Sequence, residues 1–101
     1  MKLKDIESLS KCSYGKHFLL KSYSIEILFY LLENIQANGI DELLSQIKSN
    51  KPKLPAFISY ISYLESKDCI TKGRNSDKGS KVTIRLTDEC ENTIRNYLHY
   101  D

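Results

Sequence analysis

The side chains best placed for chemistry in this chain are cationic, and many of them crowd into one stretch. TKGRNSDKGSKVTIRLTDE, residues 71–89, holds five basic residues and two of the chain's four glycines. Lysine and arginine on a glycine-rich loop can reach phosphate oxygens or a narrow minor groove. Arg74, Asn75, Lys78 and Lys81 are the candidates here. A second set lies upstream. Lys51 and Lys53 precede an expected helix start, where the positive end of the helix dipole would add to their pull on phosphate. Ser59 and Tyr60 follow on that helix, and their hydroxyls can hydrogen-bond phosphates or base edges.

The charge distribution fits this chemistry. The chain carries +2 overall, but Lys48 to Arg85 holds nine basic residues against three acidic ones. That segment is +6 and the remainder −4. Such asymmetry suits a polyanionic partner. A solvated lysine-rich face would look the same in charge alone, so the elements that carry these residues must decide.

Other chemistries find little support. Cys12, Cys69 and Cys90 are odd in number and lack CxxC spacing, which speaks against a disulfide framework or a zinc site and for free thiols in a reducing cytoplasm. Cys69, at an expected strand start, reads as a small buried hydrophobe. His17 and His99 have no carboxylate-rich motif beside them. No phosphate-loop, dinucleotide-binding or serine-hydrolase spacing occurs. The expectation is a non-enzyme without metal or cofactor. The longest apolar run, Ile25 to Leu32, contains Glu26 and falls short of the ~20 residues of a membrane span. The N-terminus lacks the apolar core of a secretory signal. A cytoplasmic protein away from membranes is expected, and 101 residues suit one domain.

Hydrophobic spacing supplies the elements. Leu3 and Ile6 suggest a short helix over 3–9, followed by a break and a second helical piece near His17–Lys21. Ser24 is expected to cap a helix over 24–37, with Ile25, Leu28, Leu31, Leu32 and Ile35 on its apolar face and Asn38-Gly39 as the stop. Asp41 is expected to cap the next helix, which carries Leu43, Leu44 and Ile47. The prolines of KPKLP make a turn, and Pro55 suits the first turn of a further helix. Phe57, Ile58, Ile61 and Leu64 are taken as its inner face, leaving Ser59, Tyr60, Ser62 and Tyr63 outward. Residues 69–72 and the alternating run 81–86 read as two strands of a hairpin around GRNSDKGS. Thr87 caps a last helix with Ile94 and Leu98 inward.

The order is helix, turn, helix, hairpin. A helix-turn-helix followed by a hairpin is a winged helix, whose second helix enters the major groove. The fold class expected is mainly α with a small β-hairpin, a winged helix-turn-helix. One domain spans 1–101: an N-terminal dimerisation lead-in over 1–23, a core over 24–86 and a C-terminal helix over 87–101.

Leu64-Glu65, Cys69-Ile70, Lys72, Arg74, Asp77, Val82-Thr83-Ile84 and Leu86-Thr87 stand in an order that resembles the helix-to-wing segment of the multiple antibiotic resistance regulator (MarR) class and its staphylococcal accessory regulator (SarA) relatives. Asp68 stands where that class has glycine, and Lys78-Gly79-Ser80 stand where its wing arginine follows the aspartate. The N-terminal region is shorter than theirs. The resemblance implies a transcriptional regulator binding double-stranded DNA as a homodimer, and some members of the class use a redox-sensing thiol. Small plasmid or phage partition proteins that coat a centromere share the layout and are the alternative. A winged helix serving as a protein-interaction module is a further one. Two half-sites about one DNA turn apart ask for two copies. Ile6, Leu9, Phe18, Leu19, Leu20, Tyr97, Leu98 and Tyr100 are the expected dimer surface. The outward face of the helix that Pro55 opens has no Arg, Asn or Gln, so shape or several copies side by side would have to supply specificity.

Overall fold

Local sequence sets the order of the elements, and a long-range backbone pairing decides where the helix opening at Ser24 stops. The computed structural model describes residues 3–74 and 82–98. In chain order it has α1 (Leu3–Lys11), a 3-10 turn (Gly15–Leu19), α2 (Ser24–Glu33), α3 (Ile40–Ser45), α4 (Leu54–Ser66), β1 (Ile70–Arg74), β2 (Val82–Leu86) and α5 (Asp88–Leu98). The strands form an antiparallel hairpin, so the chain is helical with a small sheet, an α+β arrangement.

α2 ends four residues before the expected position. Asn34 turns to extended backbone (φ −122°, ψ 141°), and both its backbone N–H and its side-chain amide donate to the Tyr30 carbonyl, at 2.9 and 2.8 Å. The reason lies far along the chain. Ala37 exchanges two backbone hydrogen bonds with Ile84 of β2, at 2.8 and 2.9 Å. A helix through residue 37 could not make them. Ile35, counted on the inner face by spacing, is 90% exposed as a result.

Two expected caps also change. Ser24 is fully buried, and its hydroxyl accepts the Lys21 N–H at 2.9 Å, closing the turn before α2 rather than capping the helix. Gly39, at φ 123°, precedes α3 in place of Asp41, and Glu42 reaches back to accept the Asn38 N–H at 3.1 Å. Thr87 does cap α5: its hydroxyl accepts the Cys90 N–H at 3.2 Å. It also donates to the Asp68 carbonyl at 2.7 Å, tying α5 to the end of α4.

α4 closes in a Schellman arrangement. Cys69 N–H donates to the Leu64 carbonyl at 3.0 Å and Asp68 N–H to that of Glu65 at 3.1 Å. Asp68 takes φ 59°, the left-handed conformation that glycine fills most cheaply. The hairpin register pairs Ile70 with Leu86, Lys72 with Ile84 and Arg74 with Val82. Ile70, Ile84 and Leu86 are buried.

One continuous core joins these pieces. α2 contributes Ile27, Leu28, Leu31 and Leu32; α4 contributes Phe57, Tyr60, Ile61 and Leu64; α5 contributes Cys90 and Ile94. The N-terminal elements belong to it. Leu9, Cys12 and Phe18 are fully buried within the single chain, and α1 packs on α5 and on the 3-10 turn. Leu9 and Phe18 are therefore core residues, not the dimer surface the sequence suggested. Gly15 allows this approach: a Cβ there would lie 2.7 Å from a Leu9 methyl and 3.1 Å from the Cys12 Cβ. Among the described residues, no helix is long and apolar enough to cross a membrane.

Candidate nucleic-acid interface

The connection between α3 and α4 carries Lys48, Lys51 and Lys53, all exposed. It is held at its start by α2. The Glu26 carboxylate accepts the Lys48 N–H at 3.0 Å and the Ser49 N–H at 3.3 Å. Asn50 then turns through φ 52°, a conformation asparagine tolerates. Lys53 is the residue before α4, with extended backbone and no side-chain capping bond, so its ammonium stays on the surface beside the helix start. Lys51 and Lys53 thus sit at the positive end of the α4 dipole, as expected.

α4 turns differently from the expectation. Its buried stripe is Phe57, Tyr60, Ile61 and Leu64, spaced three, one and three apart. Ile58 is 40% exposed and Leu54 43%. Ser59 and Ser62 are exposed, as the sequence suggested. Tyr60 is not outward. It is 3% exposed, its hydroxyl donates to the His17 carbonyl at 2.6 Å, and its ring meets Tyr23 edge-on with centroids 5.7 Å apart. Burial pushes the Tyr60 phenol far above its ordinary value, so it remains a neutral donor. Tyr60 joins the 3-10 turn to α4, and its place on the surface is taken by Ile58.

Tyr63 belongs to the same junction. Its hydroxyl shares a 2.8 Å hydrogen bond with His17 Nδ1, and its ring stacks on that of Tyr60 at 6.2 Å. Burial, then the charges of Lys16 and Lys67, hold the His17 imidazole below its ordinary value. Among the described residues, no group of three or more His, Cys, Asp or Glu side chains could hold a metal ion. All three cysteines are buried, and the hydrogen bond between Cys69 and Cys90, then burial, push the Cys90 thiol up.

The hairpin stands beside the outer face of α4. Leu54 and Ile58 of α4, Val82 at the start of β2, and Asn38 to Glu42 around the start of α3 line one groove of about 630 Å³. Glu42 is engaged there, accepting the Tyr30 hydroxyl at 2.8 Å as well as the Asn38 N–H. Asp41 is exposed. Two of the basic residues are matched locally. Lys72 reaches Glu65 at the end of α4, at 3.3 Å, and Arg85 meets Asp88 at 2.7 Å. Arg74 is the last residue of β1, opposite Val82. Asn75, Lys78 and Lys81 lie outside the described residues.

Sequence reasoning missed Glu26 as an anchor and Leu54 and Ile58 as surface. The second was readable: Tyr60 is three residues from Phe57 and four from Leu64, so it shares their face. Reading side chains by hydrophobicity put Ile58 inside in its stead. The Glu26 bonds span more than twenty residues of sequence and left no local signal. No family model, curated protein or solved structure matches this chain.

Proposed function

We propose that the chain is a winged helix that binds double-stranded DNA as a homodimer and regulates transcription. α3 and α4 would form the helix-turn-helix, Ala37 and the hairpin the small sheet, and the segment that joins β1 to β2 the wing. α4 would enter the major groove, with the wing on the flanking backbone or minor groove. The observation that carries this reading is the shared surface. The outer face of α4 and Val82, the first residue of β2, border one groove, and the connection that leads into α4 presents Lys48, Lys51 and Lys53. A duplex laid against α4 would meet those lysines at the start of the helix. The resemblance to the MarR class points the same way. α1 and α5 pack together and leave Ile6 and Tyr97 exposed, which supports a second copy docking there.

A second reading has one observation in its favour. Ile40, Leu54, Ile58 and Val82 give the groove an apolar lining and Asp41 gives it an acidic rim, as a protein-docking module would have. Salt dependence separates the two. In an anisotropy titration of a fluorescent duplex at two salt concentrations, DNA binding should weaken steeply as salt rises. The variant Arg74→Ala/Lys78→Ala/Lys81→Ala should show a shallower slope, by about 0.9 for each phosphate contact removed. No binding even at low salt would favour the protein-docking reading.

A further inference from the structure

We infer that α4 reads the C5-methyl groups of pyrimidines, those of thymine above all, through Leu54 and Ile58. This rests on the DNA-binding reading and names what the outer face of α4 recognises.

The argument begins with what that face lacks. α4 reads LPAFISYISYLES, without Arg, Lys, Asn or Gln. Arginine and lysine are the side chains that grip guanine O6 and N7, and asparagine and glutamine those that grip adenine N6 and N7. Neither pairing is available from this helix. What the helix does present is apolar. Ile58 and Leu54 stand 40% and 43% exposed on the first turns, where a recognition helix meets base edges. Tyr60, whose hydroxyl was a candidate for base contact, is committed to the His17 carbonyl. The one apolar feature a base pair offers in the major groove is the pyrimidine 5-methyl group.

Asp41 and Glu42 border the groove on its α3 side, and it is the cations leading into α4 that favour a polyanion as occupant. Lys48, Lys51 and Lys53 are exposed just before α4, on a segment carrying +6 from Lys48 to Arg85. Those cations suit phosphates, and phosphate contacts would fix register while Ile58 and Leu54 meet the groove floor. Ser59 and Ser62, also exposed, can bond to any base edge and would not oppose this preference.

The test uses paired duplexes that differ in the methyl group alone. One pair is an alternating dA-dT duplex and the same duplex with deoxyuridine for thymidine. The other is an alternating dG-dC duplex and its 5-methylcytosine counterpart. Wild type should bind the methylated member of each pair more tightly, by about fourfold for each methyl group in contact. Ile58→Ala should lose most of that preference and keep the same salt slope. Its side chain is not in the buried stripe, so the fold should survive, and circular dichroism would check it. Equal binding within both pairs would overturn the inference and leave salt-dependent DNA binding standing. An Ile58→Ala variant that keeps the whole preference would also overturn it, since the methyl group would then act through duplex shape. Absence of binding to all four duplexes would end both this inference and the DNA-binding reading.

Discussion

Asp68 occupies a left-handed position that its side chain does not fit well. At φ 59° it closes the α4 Schellman turn, and its backbone carbonyl also accepts the Thr87 hydroxyl. Both roles belong to the backbone, so glycine could perform them without the Cβ penalty. Asp68→Gly should therefore stabilise the fold by about 0.5–1 kcal/mol, after the extra freedom of glycine in the unfolded chain is offset. Thermal unfolding would show it as a rise in Tm of a few degrees. A lower Tm would mean that the carboxylate makes a contribution the backbone geometry does not reveal. Tyr60 teaches the opposite lesson at the same scale. Its position three residues after Phe57 placed it inside, yet its hydroxyl suggested outside. The structure resolves the conflict by giving that hydroxyl a buried partner, the His17 carbonyl. A partner forty-three residues away cannot be read from spacing.

The order of elements was legible because each helix and strand announces itself locally. Pro55 opens α4, Thr87 caps α5, and the 82–86 alternation makes a strand. What local pattern could not supply was the pairing of Ala37 with Ile84, which shortens α2 and ties the stretch before α3 to the hairpin. Glu26 is the other device of this kind. Its carboxylate takes two backbone N–H groups at the start of the α3–α4 connection and so fixes where the lysines of that connection begin. Glu26→Ala releases both donors to water. The expected cost is about 1–2 kcal/mol, smaller than for a fully buried site because these groups are partly solvated. Hydrogen exchange at the Lys48 and Ser49 amides should accelerate together, while that at Ile61 and Leu64 should slow-exchange as before apart from the global loss. If the two amides keep their protection, the connection is held by its own turn and not by α2.

For the whole molecule, the question is how one small chain presents enough charge to hold a duplex. Lys72 and Arg85 are matched by Glu65 and Asp88, which leaves the connection lysines and the hairpin loop to do most of the electrostatic work in the proposed complex. A homodimer doubles that set without enlarging the chain. The burial of Leu9 and Phe18 narrows the surface on which a second copy could dock, since those residues are already used inside one chain. Ile6 on α1 and Tyr97 on α5 remain exposed on elements that pack together. Replacing both, as Ile6→Glu/Tyr97→Glu, should place like charges across the two-fold axis and yield monomers in sedimentation, with the monomer's far-UV spectrum intact. The salt dependence then gives an independent reading. The slope of log affinity against log salt scales with the number of phosphates neutralised, at about −0.9 for each. The monomeric variant should bind with half the wild-type slope, because each particle now carries one set of cations. A variant that is monomeric but keeps the full slope would show that a single copy makes all the phosphate contacts, and the homodimer would then be no part of DNA binding.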